Sequence, residues 1–264
     1  MDCFTIGVRI YGGLGNQLFQ IGNALAISEK TGRKLIIEQP ETLEGWRQKV
    51  YWNKFIHGIT LGKNPNFFLI YKEPDHLYRP IPIPESSLVI DGYFQSEKYF
   101  KDFRNIILSH FHLLPSDENY LLSKYQDIKE RNCLHVRLGD ILNIQHMFPV
   151  PPKKYFEWCI NQLSENKYAI FTDSPEVLSN YLPDLRNLDV IYPLEEDYLE
   201  LGLMSMCKNF ICSNSTFSWW ASWLSENRKK KVFFPYPWIG PGITNLDISD
   251  LFYNGCTLVD YSSL

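Results

Sequence analysis

No stretch of this chain approaches the roughly 18 consecutive apolar residues that a membrane-spanning helix needs. Its opening, Met1-Asp2-Cys3-Phe4-Thr5, lacks a basic region followed by an apolar run. No secretory leader is therefore expected, and the protein is read as cytoplasmic. The six cysteines, at 3, 133, 159, 207, 212 and 256, contain no C-x-x-C, which leaves a zinc site with little support and points to free buried thiols in a reducing compartment. Asp-x-Asp is absent, so the usual acidic grip on a divalent metal is missing. H-E-x-x-H and G-x-S-x-G are absent too, which argues against a zinc protease or a serine hydrolase. Positive charge is not in excess. With 26 Lys and Arg against 30 Asp and Glu, the net charge is -4, which weakens any nucleic-acid reading. The one basic run, Arg228 to Lys231, lies between a helical and a strand pattern and reads as a solvated helix terminus. There is no internal repeat and no low-complexity segment.

What is present is a globular composition. Hydrophobic residues at 45% and charged residues at 21% suffice for a real core, and 264 residues correspond to two domains or one large one. The seven tryptophans and 16 tyrosines suit either a thick core or sugar-stacking surfaces, and composition does not choose between them.

The periodicity is that of an α/β chain. Thr5 to Tyr11 reads as a strand, Gly12-Gly13-Leu14-Gly15 as a turn, and Leu18, Ile21, Gly22 and Leu25 as one face of a helix that should stop near Gly32. Lys34 to Glu38 is the next strand, which completes the opening of a parallel sheet. The stretch 40–87 has no clean period and reads as irregular structure with short strands and room for one helix. Leu88 to Asp91 is a strand, Ser96-Glu97 precedes a helical pattern, and Pro115-Ser116-Asp117-Glu118 is a helix start. The second half alternates more clearly: strands at 132–137, 168–172, 189–192, 209–212 and 231–234, with helices at 151–166, at Ser174-Pro175-Glu176, around 199–206 and at 217–224. His110 and His112 lie in an apolar stretch and read as structural, and Trp220 reads as core. Glu195-Glu196-Asp197 precedes a helix, where negative charge is favourable.

Four motifs sit where strands end and helices or loops begin, the usual ligand edge of an open parallel sheet. Gly12-Gly13-Leu14-Gly15-Asn16-Gln17 is either a close-approach site for a ligand or a tight turn capped by Asn16. In His135-Val136-Arg137-Leu138-Gly139-Asp140, Arg137 suits a diphosphate because its fork donates two parallel hydrogen bonds. His135 shares its strand face. The alternative is an Arg137–Asp140 ion pair that closes the loop. In Asn214-Ser215-Thr216-Phe217, the two hydroxyls and the first helical N–H groups form either an anion cradle or a plain helix cap. Asp173 of Phe171-Thr172-Asp173-Ser174 either accepts from a base or ribose or caps the helix after it.

Together these motifs resemble the α-1,2-fucosyltransferases of glycosyltransferase family 11. The resemblance rests on GGLGNQLFQIGNALA (12–26), DGYFQSEKYF (91–100), HVRLGD (135–140), FTDSPE (171–176) and NSTFSWWASWL (214–224), which occur in the family's order. It implies a GT-B-like α/β fold of two facing Rossmann-like domains with parallel sheets, here expected as an acceptor-side domain at 1–125 and a GDP-fucose-binding domain at 126–264. It implies inverting transfer of L-fucose from GDP-β-L-fucose to the 2-hydroxyl of a galactose-terminated glycan, with no metal or other cofactor. Fucosyl transfer to another position, α-1,6 or to a protein hydroxyl, and a non-catalytic nucleotide-sugar or glycan-binding module are the alternatives.

By the same resemblance Arg137, Ser215 and Thr216 hold the donor, and His135, Asp173 and Asn214, at the same strand ends, are further donor-binding candidates. Gly15, Asn16 and Gln17 lie on the acceptor side, and Arg137, Asp140 and Asn16 are the catalytic candidates. Arg137 with the Ser215 and Thr216 donors would stabilise the charge growing on the departing β-phosphate. Two departures stand out. Many members carry a second arginine where this chain has Leu138, and a tyrosine where it has Ile141.

Overall fold

The computed structural model describes residues 4–38, 49–62 and 68–264. Cys3 and, of the 40–87 stretch, residues 40–48 and 63–67 lie outside the described residues. The chain forms two compact units, one of 1–114 with 246–253 and one of 115–245 with 254–264.

The first unit carries β1 (Thr5–Val8), α1 (Leu14–Thr31), β2 (Lys34–Ile37), β3 (Thr60–Leu61), β4 (Phe68–Lys72), β5 (Ser87–Asp91) and α2 (Arg104–His110). Among the described residues its five strands pair in the order β3-β2-β1-β5-β4, all parallel. Parallel strands covered by helices must be apolar throughout, and Ile6, Val8, Leu88, Val89 and Ile90 are all buried. Thirteen of the first 14 residues of α1 are buried, all but Asn16, and they include Gln17, Gln20 and Asn23. Gly32 ends it in the left-handed region at φ 65°, where a residue without Cβ carries no steric cost. Sequence places this boundary correctly. The expected strand 5–11 is shorter, because after Val8 the chain turns toward Gly12. Around the expected helix after Ser96, two 3-10 turns precede α2, and the Ser96 hydroxyl caps the first of them by accepting from Lys98 N–H at 3.3 Å. His110 and His112 are structural: His110 Nδ1 lies 2.6 Å from the His57 carbonyl, and His112 stacks on His57.

The second unit carries α3 (Pro115–Lys124), β6 (Asn132–Val136), α4 (Lys153–Asn161), β7 (Lys167–Thr172), β8 (Asp189–Ile191), α5 (Asp197–Ser205), β9 (Phe210–Ile211), α6 (Thr216–Leu224), β10 (Val232–Tyr236) and β11 (Thr257–Asp260). The strands form a parallel sheet in the order β11-β10-β9-β6-β7-β8. Helix α6 buries Trp219, Trp220 and Trp223 together, and each large side chain contributes about 4–6 kcal/mol by area alone. Cys133, Cys159, Cys207 and Cys212 are buried free thiols.

Four expectations need correction. The boundary falls at 114/115 rather than 125/126, since α3 belongs to the second unit, where it packs on α5. Residues 246–253 return to the first unit, with Asp250 accepting from Tyr78 N–H at 2.8 Å and pairing with Lys98. Ser174-Pro175-Glu176 opens a turn and then a 3-10 segment at Leu178–Asn180, because Ser174 N–H donates to the Thr172 hydroxyl instead of starting a helix. The basic run 228–231 lies in the exposed turn before β10, where Lys230 donates to the Ser225 carbonyl at the end of α6. Among the described residues no helix is long and apolar enough to cross a membrane.

Candidate active site

In the second unit, register brings three sequence motifs to one edge. Val136 of β6 pairs with Thr172 of β7, and Leu134 pairs with Ile211 of β9. Arg137, Asp173 and the turn 213–216 therefore leave neighbouring strands at the same carboxyl end. Ser213, which the sequence reading does not single out, ties two of them together. Its hydroxyl donates to the His135 carbonyl at 2.8 Å and accepts from Arg137 N–H at 3.0 Å. The arginine loop and the start of α6 are thus fixed to each other by one buried side chain.

Asp173 fixes the same loop from the other side. Its Oδ1 accepts from Leu138 N–H at 2.8 Å and from Gly139 N–H at 3.0 Å. Hydrogen bonds to a charged acceptor are worth about 1.5–3 kcal/mol each. The structure shows Asp173 capping the loop at 138–139, not the segment after it that the sequence offered as one of its two roles. Arg137 Nη2 bonds both oxygens of Asp140, at 2.9 and 3.1 Å, so the loop-closing ion pair is present. About a third of the Arg137 side chain remains exposed, enough for its other donors to meet a ligand.

His135 is nearly buried, and its Nδ1 has no hydrogen-bond partner. Burial lowers its pKa to about 4; Asp173 opposes this and Arg137 adds to it. The ring is neutral near pH 7, with Phe217 tilted 5.9 Å away. Asn214 donates to the carbonyls of Pro149 at 2.7 Å and Trp238 at 3.2 Å, which clamps two loops, while its Oδ1 is buried without a partner. Ser215 caps α6 by accepting from Phe217 N–H at 3.3 Å, so the helix-cap reading holds. Thr216 is the first helical residue and is half-buried. The partial positive charge of a helix N-terminus beside Arg137 gives this edge the electrostatics of an anion site.

In the first unit the glycine turn stands at the carboxyl end of β1. Gly12 has φ 80°, and a methyl group there would stand 2.8 Å from Asn16 Nδ2. The turn is held from inside: Gln17 Nε2 donates to the Gly12 carbonyl at 2.9 Å, and Gln20 binds both backbone groups of Tyr11. Gln17 therefore serves the turn. Gly15 is buried in the first turn of α1. Half-buried Asn16 accepts from Gln95 Nε2 at 2.9 Å. The described geometry thus places His135, Arg137, Asp140, Asp173, Asn214, Ser215 and Thr216 on the second unit and Gly15, Asn16 and Gln17 on the first.

Comparison with known proteins adds the family. Two Escherichia coli proteins, the O-antigen biosynthesis glycosyltransferase WbnK and an alpha-1,2-colitosyltransferase, are each 25% identical to this chain. The alignments cover 86% of this chain and 92% of the first, and 87% and 91% for the second. A Caenorhabditis elegans galactoside 2-alpha-L-fucosyltransferase is 22% identical over 84% of this chain and 69% of its own. The fold is similar to that of the fucosyltransferase NodZ from Bradyrhizobium, with a TM-score of 0.52, 16% identity, and 84% and 92% of the two chains covered. Residues 71–236, more than half of the sequence and including the whole arginine and α6 edge, match glycosyl transferase family 11, to which the chain belongs.

Proposed function

We propose that the protein is an inverting fucosyltransferase that moves L-fucose from GDP-β-L-fucose to the 2-hydroxyl of a galactoside, forming an α-1,2 linkage without a metal ion. The observation that carries this reading is the Ser213 link between the Arg137 loop and the start of α6. It holds the Arg137 backbone beside the start of α6 at one strand edge, an arrangement that suits a departing diphosphate. The names of the E. coli and C. elegans relatives support the 2-linkage.

The chemistry follows from where charge develops. The acceptor oxygen bonds to C1 of fucose on the face opposite the diphosphate. The C1–O bond breaks and its electron pair goes to the β-phosphate. Arg137, the Ser215 and Thr216 hydroxyls and the first N–H groups of α6 meet that charge already oriented, and a single such donor is worth on the order of 10²–10³ in rate. His135, neutral and buried two residues before Arg137, and Asn214, which clamps two loops, shape the donor edge from within rather than touch the donor. Asp140 holds the guanidinium through both oxygens, so its role is to orient Arg137. The acceptor proton leaves late, to solvent water, since the departing diphosphate lies on the opposite face of the ring. Asn16 of the first unit orients the acceptor hydroxyl, since its amide cannot act as a base.

The experiment is transfer from GDP-fucose to a β-galactoside, with GDP release followed and the product linkage read by NMR. An α-1,2-fucoside is expected. Binding without GDP release would make the chain a binding module. Fucose at another hydroxyl, or on serine or threonine of a protein, would overturn the acceptor assignment. The colitosyl relative supplies one second reading, a colitosyl donor at the same edge. Preference for that donor over GDP-fucose in direct competition would establish it.

A further inference from the structure

The first unit repeats, with different residues, the device that Asp173 provides in the second. Glu73 directly follows β4, and its carboxylate takes two successive N–H groups of the loop after the neighbouring strand β5. Oε2 accepts from Tyr93 at 2.6 Å and Oε1 from Phe94 at 2.9 Å. Gly92 permits the approach, since a methyl group on it would lie 2.7 Å from Glu73 Oε2 and closer still to its Cβ.

The loop it holds is strained. Phe94 has φ 52°, a region a bulky side chain occupies only when its surroundings compel it. Its ring is fully buried, with Tyr71 6.5 Å and Tyr99 5.4 Å away. Such strain points outward to what the loop presents. On one side of Phe94, the Tyr93 ring meets Tyr11 edge-on at 4.9 Å. On the other, Gln95 donates to Asn16 Oδ1. Tyr11, Tyr93, Gln95 and Asn16 are all half-buried at the carboxyl end of β1 and β5. They offer an aromatic surface beside two amides, the pairing that suits a sugar ring with one apolar face and a rim of hydroxyls.

We propose that Glu73 is a positioning residue for the acceptor: by holding Tyr93 and Phe94 it sets the Tyr11–Tyr93 surface under a sugar ring and aims the Gln95–Asn16 amide pair at its hydroxyls. This rests on the transferase reading above and adds a residue to it. Burial raises the Glu73 pKa against the pull of the two backbone bonds, as expected of a carboxylate retained for those bonds in a poorly hydrated place.

Glu73→Gln is the informative change. Gln has the same shape, but it places an NH₂ opposite one of two backbone donors, so only one bond survives. In the full-length protein, the galactoside KM should rise roughly tenfold or more, while GDP affinity by calorimetry stays within about twofold. Gln95→Ala, at a half-exposed position, should raise the same KM. The double variant should be little worse than the worse single one, because both act through one chain of contacts. An unchanged KM in Glu73→Gln would overturn the proposal, whatever Gln95→Ala does. So would strictly additive effects, or a Glu73→Gln loss shared equally by GDP affinity and acceptor KM. If Glu73→Gln does not fold, Gln95→Ala decides alone, and a wild-type KM for it is fatal. A wild-type protein that transfers to no galactoside refutes the transferase reading itself, a different result from an active wild type beside an indifferent Glu73 variant.

Discussion

A methyl group on Gly139 would stand 2.6 Å from Asp173 Oδ2, so residue 139 must lack a side chain for Asp173 to hold the arginine loop. The relationship leads directly to the first prediction. Gly139→Ala displaces the carboxylate and releases Leu138 and Gly139 N–H together. GDP affinity is expected to fall roughly tenfold or more, in line with losing one or two charge-assisted bonds. Calorimetry with GDP reads the loss, and a thermal melt should show the fold retained.

Arg137→Ala should lower transfer by ~10² or more while leaving the fold intact, because a preformed donor at the departing phosphate is removed. Asp140→Asn should cost less, since its carboxylate aligns Arg137 rather than reacting. Rates and thermal midpoints measured side by side check both. An Asp140→Asn loss exceeding that of Arg137→Ala would favour Asp140 as the base.

Transfer should survive excess EDTA. The expectation rests on the absent Asp-x-Asp and on Arg137 and α6 as charge-bearing groups at the strand edge. Activity that disappears with EDTA and returns with Mn²⁺ or Mg²⁺ would show that the guanidinium does not replace a metal ion.

Acid should destabilise the second unit through His135. Its folded pKa is about 4, against an ordinary value of 6.5. Between these values the unfolded chain holds more protons than the folded one. Stability is therefore full above about pH 6.5, declines as pH falls toward 4, and loses up to roughly 3 kcal/mol across that window. Denaturant melts from pH 7 to 4 should show the decline, and His135→Gln should flatten it.

The parts of the edge that sequence reveals are those whose chemistry is local. Ser215 caps α6 because a hydroxyl before an apolar helical face satisfies that helix's own N–H groups, and Arg137 is visible because a charge at the end of an apolar strand is unusual. Gly32 is legible for a similar reason, as a helix stop two residues before a strand. Ser213 is one hydroxyl in a polar run, and only the pairing of β9 with β6 brings it to His135 and Arg137. Glu73 is hidden more deeply, since its partners are 20 and 21 residues away and its own stretch has no period. Strand β11 is illegible because only Val259 of its four residues is buried, which leaves no alternation to read. The true start of the second unit is equally faint, because α3, largely exposed, carries only a weak apolar stripe, with Leu121 its single fully buried residue.

The return of 246–253 to the first unit has a consequence for anyone who cuts the chain. The backbone passes between the units at 114/115, 245/246 and 253/254, so no single cleavage yields two complete halves. Expressing residues 1–114 alone would strand Tyr78 N–H and Lys98 without Asp250. Stopping before 246 would also remove β11 from the edge of the second sheet. On the ribosome the same threading delays the first unit, whose last segment can dock only after residues up to 253 have been made.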